Sequence, residues 1–422
     1  MALVLGVVRD VFSERNIVVL SGTSCLYRVF NSLWRLWWSL YLLDVLGAPI
    51  AVIGLLSTIQ SSSQILFQLP GGLMADRIGR KKVIVLGTTL RILGPLVLVL
   101  APTWQWVIPG VILNSLASLY MPAFNAIIAD SLPYERRGAA FGAYRMVTSV
   151  PSIVMPIVSG VYIDAMGIAK GVRMGLYMYI VAAVAAMLAR ALFLRETLTR
   201  DGADGPRGGM RESLGLDLRG LLGKFRGTIL FMLAVGCVSG FAMRMVYPFL
   251  VIYGVDVIGL KESQWGALQT IAMGITTGLY LLGGMLSDKF GRVPGILVAR
   301  SLLPAQSLGL MAIHDFNRLI VLFTVLGVGA GFGGGGIRGG GGMGGPSWQA
   351  LIADIIPSRD RGKVMGFMGT LTGLINLPAP ILGAYIWEAI GPNTLLLSGG
   401  ILGLISVPLI LLFVRQPETR QR

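Results

Sequence analysis

The strongest constraint on this chain is a short charged string that occurs twice, each time between apolar runs of membrane-crossing length. Gly72-Leu73-Met74-Ala75-Asp76-Arg77-Ile78-Gly79-Arg80 stands in the first half, and Gly284-Met285-Leu286-Ser287-Asp288-Lys289-Phe290-Gly291-Arg292 in the second. Charge packed this densely belongs in water, while the flanking runs belong in hydrocarbon. The chain therefore reads as a polytopic membrane protein of two similar halves. That architecture suits passing a solute across a bilayer better than making or breaking bonds.

Of the 422 residues, 54% are hydrophobic and 13% charged, where a soluble domain carries about a quarter charged. A hydrocarbon core of ~30 Å takes about 20 apolar residues per helix. Twelve runs meet this, at 17–43, 49–74, 83–101, 105–129, 139–163, 172–194, 228–254, 264–287, 294–313, 318–353, 364–387 and 392–414. Ala2 to Val8 is too short for a signal-peptide core and has no clear cleavage site, so the first long run is expected to be retained as a span. The expected fold class is an all-α polytopic membrane protein with 12 transmembrane helices in two pseudo-symmetric six-helix bundles. Residues 1–198 form the N-terminal bundle, 199–226 a polar, basic cytoplasmic linker with a short surface helix around Leu214 to Leu222, and 227–422 the C-terminal bundle.

The net charge of +15 raises the question of a nucleic-acid partner. Its placement answers it. With the N-terminus in the cytoplasm, the inner segments hold 23 Lys and Arg, and the outer loops hold only Lys170, Arg173, Lys261 and Arg318. That asymmetry is a topology signal, with both termini cytoplasmic in a multi-pass protein of the cytoplasmic membrane. Membrane lipids are the expected partners of the basic excess, not nucleic acid. Cys25 and Cys237 fall inside apolar spans, and the lone histidine, His314, sits in a short outer turn beside Asp315. They supply no disulfide framework and no metal set, so no cofactor or metal is expected.

Aligning the halves is more informative than any single motif. At an offset of 212 residues Asp44-Val45-Leu46-Gly47 matches Asp256-Val257-Ile258-Gly259, Asp76 matches Asp288, and Cys25 matches Cys237. Further along the offset is 224. There Ala129-Asp130, Pro133, Arg137 and Gly138 match Ala353-Asp354, Pro357, Arg361 and Gly362. The added 12 residues coincide with a glycine-rich stretch, Gly333 to Gly345, in or beside the tenth span. Glycine disfavours helix by ~1 kcal/mol per residue against alanine, so this segment is expected to line a cavity, bury in protein or bulge into a loop. Gly329, Gly331 and Gly334 have dinucleotide-type spacing, but no strand precedes them. No Gly-Lys-Ser or Gly-Lys-Thr phosphate loop occurs, which argues against an ATP-driven pump.

At this point the chain resembles the major facilitator superfamily over nearly its whole length. That family carries a Gly-x-Leu-x-Asp-Arg-x-Gly-Arg-Lys loop between its second and third helices, filled here by Gly72, Leu73, Asp76, Arg77, Gly79, Arg80 and Lys81. The second copy keeps Gly284, Asp288, Gly291 and Arg292, with Val293-Pro294 in place of the basic pair. The resemblance implies that Asp76 caps a helix start in the other half and that Arg80 pairs with an acid ending the fourth helix. Asp130 stands at that position, and Asp354 at the repeat position. The gating set is therefore Gly72, Asp76, Arg77, Gly79, Arg80, Asp130, Arg137, Asp288, Gly291, Arg292, Asp354 and Arg361. In the fifth helix, the Gly-Pro-x-x-Gly-Gly element of drug–proton antiporters is reduced to Pro156 and Gly160.

Inside a bilayer, polar stripes face the protein interior or a water-filled path. Ser21, Ser24, Arg28, Asn31 and Arg35 share one face of the first helix, and Ser57, Ser61, Gln64 and Gln68 lie on the second. Candidates for a substrate cavity at the interface of the bundles are Arg28, Asn31, Arg35, Gln64, Asn114, Arg145, Arg244, Tyr247, Gln269, Trp348 and Asn376. All acidic residues cluster at helix ends or in loops. A cation site would want a buried carboxylate, so the expected small-molecule substrate is neutral, amphipathic or anionic. The expectation is a monomeric secondary transporter using alternating access and a coupling proton, exporting amphipathic, drug-like compounds, with no catalytic residues. The alternatives are symport-type uptake of an organic anion or sugar, and a transporter-like membrane receptor or sensor.

Overall fold

An apolar run in hydrocarbon must satisfy its backbone N–H and C=O groups internally, and the α-helix does so within one segment. The computed structural model describes residues 12–131, 137–198, 228–333, 348, 351–352, 355 and 358–413, and these are helical nearly throughout, with no strand among them. The linker 199–226 and residues 334–345 of the glycine-rich segment lie outside them.

Twelve helical segments follow in order. In the first half, α1 is Arg15–Arg35, carried on by Trp38–Leu40 and a wide turn at Tyr41–Val45; α2 is Ile50–Ile78 and α3 is Arg80–Leu100. The α4 segment runs through Trp104–Trp106, Val107–Leu116, the tighter Ala117–Tyr120 and Met121–Asp130, before α5, Arg137–Met166, and α6, Ile168–Phe193. In the second half, α7 comprises Thr228–Val246, Tyr247–Phe249, Leu250–Ile252 and a wide turn at Tyr253–Val257. It is followed by α8, Glu262–Phe290; α9, Arg292–Ala312; α10, Phe316–Gly333; α11, Ser358–Ile375 with Ala379–Ala389; and α12, Pro392–Phe413. Nine of these are long and apolar enough to cross a bilayer by composition, among the described residues. The exceptions are α1, which carries Arg15, Arg28 and Arg35, α8, and α10, whose described helix stops at Gly333 where the glycines begin. Residues 334–347 of the expected tenth span lie outside the described residues.

The backbone repeats as the sequence does. All six positive-φ residues among those described are glycines, and they fall into pairs: Gly47 with Gly259, Gly79 with Gly291, and Gly167 with Gly391. The first two pairs are 212 residues apart and the third 224. Gly79 (φ 101°, ψ 146°) ends α2 and begins α3, and Gly291 (φ 94°, ψ 167°) does the same between α8 and α9. That region of φ/ψ space is essentially closed to any residue with a Cβ, which is why both charged strings need glycine there. The wide turns Tyr41–Val45 and Tyr253–Val257 are likewise 212 residues apart.

Each half has its own core. In the first, Ile17, Leu20, Ile84, Phe124, Ile127 and Ile128 pack together, and in the second the equivalent residues Ile229, Met232, Ile296, Trp348, Leu351 and Ile352 do. Contacts divide the chain into two units near residue 207, with Ile50–Thr58 grouped with the second. In the first unit α1 packs on α5 and α6, and α3 on α4 and α6; in the second α7 packs on α11 and α12, and α9 on α10 and α12.

Candidate functional site

The first charged turn is tied down by three acidic or polar groups from distant parts of the chain. The Arg80 guanidinium forms an ion pair with Asp130 at the end of α4, and its Nη1 also donates to Thr197 Oγ1 at 3.2 Å. The exposed N-terminus of α3 is capped by Glu196, just past α6. Its Oε1 accepts the Arg80 N–H at 3.1 Å and its Oε2 the Lys81 N–H at 3.0 Å, while Oε1 also accepts the N–H of Thr197 at 3.0 Å and of Leu198 at 3.2 Å. A carboxylate here satisfies donors the helix cannot pair and sits at the positive end of its dipole. The sequence does not single out Glu196, because nothing local to it marks a cap for a helix that starts 116 residues earlier.

Asp76 and Arg77 are exposed, and Gly72 is partly buried. No contact of Asp76 with a helix start of the other half is among those described. In the second copy Gly291 makes the turn, while the side chains of Asp288, Arg137 and Arg361, and Asp354 as a whole, lie outside the described residues and side chains, as do Gln68, Gln349 and the side chain of Arg145. Arg292, partly buried, opens α9.

In the first unit, Arg28 and Arg35 are exposed on the polar face of α1. Arg28 Nη1 donates to Ser152 Oγ of α5 at 3.4 Å, and Arg35 Nη2 donates to Gln60 Oε1 of α2 at 2.9 Å. Gln64 is exposed, and Asn31 and Asn114 are partly buried. In the second unit Arg244 is partly buried and Tyr247 exposed, whereas Gln269, Trp348 and Asn376 are packed inside that unit.

Two further arginines carry no signal in the polar stripes of the sequence. On α3, Gly87, Arg91 and Gly94 lie at i, i+4 and i+7, on one face. The two glycines let α4 come close: a Cβ on Gly87 would sit 2.6 Å from Tyr120 Cβ, and one on Gly94 2.7 Å from the Asn114 backbone. The close approach sets the Arg91 guanidinium 5.1 Å from the centroid of the Tyr120 ring and 5.4 Å from that of Tyr27. On α6 the buried face Gly175, Tyr179, Ala182, Ala183 and Ala186 ends in Arg190. Its small residues bring α6 against α1, where a Cβ on Gly175 would stand 3.3 Å from Leu33 and Trp34.

Arg190 is wholly buried. Its Nε donates to Thr23 Oγ1 at 3.0 Å and its Nη1 to Thr88 Oγ1 at 2.9 Å. The guanidinium faces Tyr27 at 5.1 Å, Tyr120 at 5.5 Å and Phe124 at 5.6 Å. Tyr27 and Tyr120 thus lie between two cations, each ring's negative face shared by both. Tyr27 also packs on Tyr179, at 5.7 Å between centroids, and Tyr179 on Trp34, at 6.0 Å. No acidic residue occurs in the middle of any of these helices, so aromatic faces and hydroxyls carry the stabilisation that a carboxylate ordinarily would.

The family model of the major facilitator superfamily matches residues 19–339 and 337–422. The chain belongs to the major facilitator superfamily. It is a multi-pass membrane protein of a family of transporters, not enzymes. The multi-drug resistance efflux pump PmrA of Streptococcus pneumoniae is 27% identical over 191 residues, 44% of this chain and 45% of the pump, so the match spans less than half of that relative's length. The class H tetracycline resistance protein of Pasteurella multocida is 21% identical over 342 residues, 79% of each chain. Among solved structures, a mutant of the nucleoside transporter NupG superposes with a TM-score of 0.76 at 14% identity, covering 94% of this chain and 98% of the other.

This superfamily member buries a guanidinium in each unit at the same locus, drawn from a different helix. In the second unit Arg300 of α9 occupies the position equivalent to Thr88. Its Nη1 donates to Ser239 Oγ at 2.7 Å, and it lies 4.7 Å from the centroid of Trp348. Ser239 is the equivalent of Tyr27 and Trp348 of Phe124. The locus is kept while the side chain that fills it has changed place, so a cation there is compatible with the fold from either helix.

Proposed function

We propose that this transporter exports amphipathic compounds, neutral or anionic, from the cytoplasm by alternating access, as a monomer coupled to protons. The observation that carries the substrate class is the set of guanidiniums in the first unit. Arg91 and Arg190 lie against Tyr27 and Tyr120, Arg35 lies over Trp34, Arg28 is exposed on the same helix as Arg35, and no carboxylate stands at comparable depth. An intramembrane arginine costs ~2.5–3.5 kcal/mol on the mild insertion scale, so four of them in one bundle favour anionic or hydrogen-bonding ligands over cations. The direction of export draws on the names of the relatives, a multi-drug efflux pump and a tetracycline resistance protein. In this reading residues 1–198 and 227–422 rock about a midplane site joined by the linker 199–226, with the Gly79 and Gly291 turns both cytoplasmic. The pairing of Arg80 with Asp130, and the Glu196 cap, hold the first turn in one of the two states.

The test is counterflow in proteoliposomes. Purified protein is expected to accumulate labelled anionic or neutral amphiphiles against their unlabelled forms, faster when an imposed pH gradient points inward. Transport of cationic dyes alone would refute the substrate class, and absence of all counterflow would favour a receptor. Single cysteines at positions 76 and 288 are expected to react with an impermeant reagent from the same face of the membrane; labelling from opposite faces would refute the topology.

A further inference from the structure

The Arg91–Arg190 cluster holds more positive charge than its surroundings neutralise, and its polar atoms are incompletely partnered. Arg190 Nη2 and the Tyr27 hydroxyl are both buried without a hydrogen-bond partner, although Arg190 has no exposed surface and Tyr27 only 4%. A buried donor left unpaired costs ~1–3 kcal/mol, and more if charged. Arg91, by contrast, keeps part of its surface open. It lies 11 residues into α3 from Arg80, or ~16 Å along the axis at 1.5 Å per residue. That depth is near the middle of a ~30 Å core and beyond the level of a lipid headgroup.

We propose that Arg91, flanked by Tyr27 and Tyr120 and backed by Arg190, is an anion subsite that receives the carboxylate, sulfonate or phosphate end of an amphipathic solute. The inference rests on the transport reading above and sharpens it to one end of the substrate. Arg91 is the contact residue: its guanidinium lies against the Tyr27 and Tyr120 rings, which leaves N–H groups to pair with an oxyanion. Arg190 is a positioning residue. Held by Thr23 and Thr88, it lies against Tyr27 and Tyr120 and adds charge that a bound anion would offset.

The full-length protein in phosphatidylcholine nanodiscs is titrated with naphthalene sulfonate, naphthalene methanol and naphthylmethylammonium, three probes that share one ring system and differ in charge. The sulfonate is expected to bind best. Arg91→Gln should weaken it about 10- to 150-fold, the loss of one charge-assisted pairing, and weaken the methanol far less; Arg91→Lys should recover part of the loss. Arg190→Met should reduce the preference for sulfonate over methanol without reducing methanol binding, which a purely structural role would not do. An unchanged sulfonate affinity in Arg91→Gln, or no sulfonate binding to the unaltered protein, overturns the subsite. Nanodiscs containing phosphatidylglycerol identify a lipid source: if that lipid competes the sulfonate away, the site is a lipid site and the solute assignment fails. Counterflow separates the two levels. Flux of a neutral amphiphile that survives Arg91→Gln keeps the transport reading even where the subsite fails, and sulfonate binding without any flux refutes transport but not the subsite.

Discussion

Arg190 supplies a case in which removing a buried charge should not weaken the protein. The guanidinium gains two charge-assisted hydrogen bonds, to Thr23 at 3.0 Å and Thr88 at 2.9 Å, and faces three aromatic rings. Each such bond is worth ~1.5–3 kcal/mol and each ring contact ~0.5–2 kcal/mol. Against this stands the desolvation of an ion, several kcal/mol even after relaxation. In Arg190→Met the stem is replaced by an apolar chain of comparable length, and neither threonine is orphaned. Thr23 Oγ1 still donates to the Val19 carbonyl at 2.7 Å and Thr88 Oγ1 to the Ile84 carbonyl at 2.7 Å. The expected result is a stability between unchanged and ~1–4 kcal/mol higher, the range seen when buried ions give way to apolar groups. Thr88→Val does the opposite: it leaves the ion in place and strips one acceptor from it, a loss of ~1.5–3 kcal/mol. In the Arg190→Met background the same Thr88→Val change should cost almost nothing, so the double-mutant cycle should show a coupling of similar size. Equilibrium unfolding in mixed SDS–detergent micelles measures all four proteins. If Arg190→Met is the more damaging single change and the two effects add, the guanidinium is a structural keystone and desolvation does not govern its energetics.

The remaining predictions concern turns and close helix contacts. Gly87→Ala puts a Cβ 2.6 Å from Tyr120 Cβ and should destabilise by ~1–3 kcal/mol as α3 is forced away from α4; Gly22→Ala, with nothing within 4 Å of the new Cβ, should instead stabilise α1 by up to ~1 kcal/mol, both read from the same unfolding assay. Gly291→Ala must hold φ near 94°, which should cost ~1–3 kcal/mol and lower the midpoint of thermal unfolding. Glu196→Gln removes the charge from the cap over Arg80 and Lys81; it should lower stability by ~0.5–1 kcal/mol, a difference that shrinks as salt is raised because the site is exposed.

What is legible in the sequence is what repeats. The three glycine pairs and the matched cores follow offsets visible in the chain, since a conformation that only glycine adopts and a buried apolar position both leave a mark at one residue. The pairing of Arg80 with Asp130 is legible through the resemblance to the superfamily, which implies it from the charged string. The Glu196 cap and the Arg91–Arg190 cluster are products of assembly. Arg190 belongs to a helix whose other buried residues are small or apolar, so no polar periodicity on α6 announces it, and its supports come from α1, α3 and α4. Trp348 shows the converse: an aromatic beside polar residues reads as a cavity group, yet it packs beneath Arg300 inside the second unit. A lone arginine in an otherwise apolar span is nonetheless a signal in itself, because a cation without a nearby acid must be held by rings, hydroxyls or a ligand. Arg91, Arg190 and Arg300 all meet that description. Of the three, Arg91 alone combines mid-bilayer depth, aromatic flanks in the first unit and partial exposure, which is why the proposed subsite is placed on it.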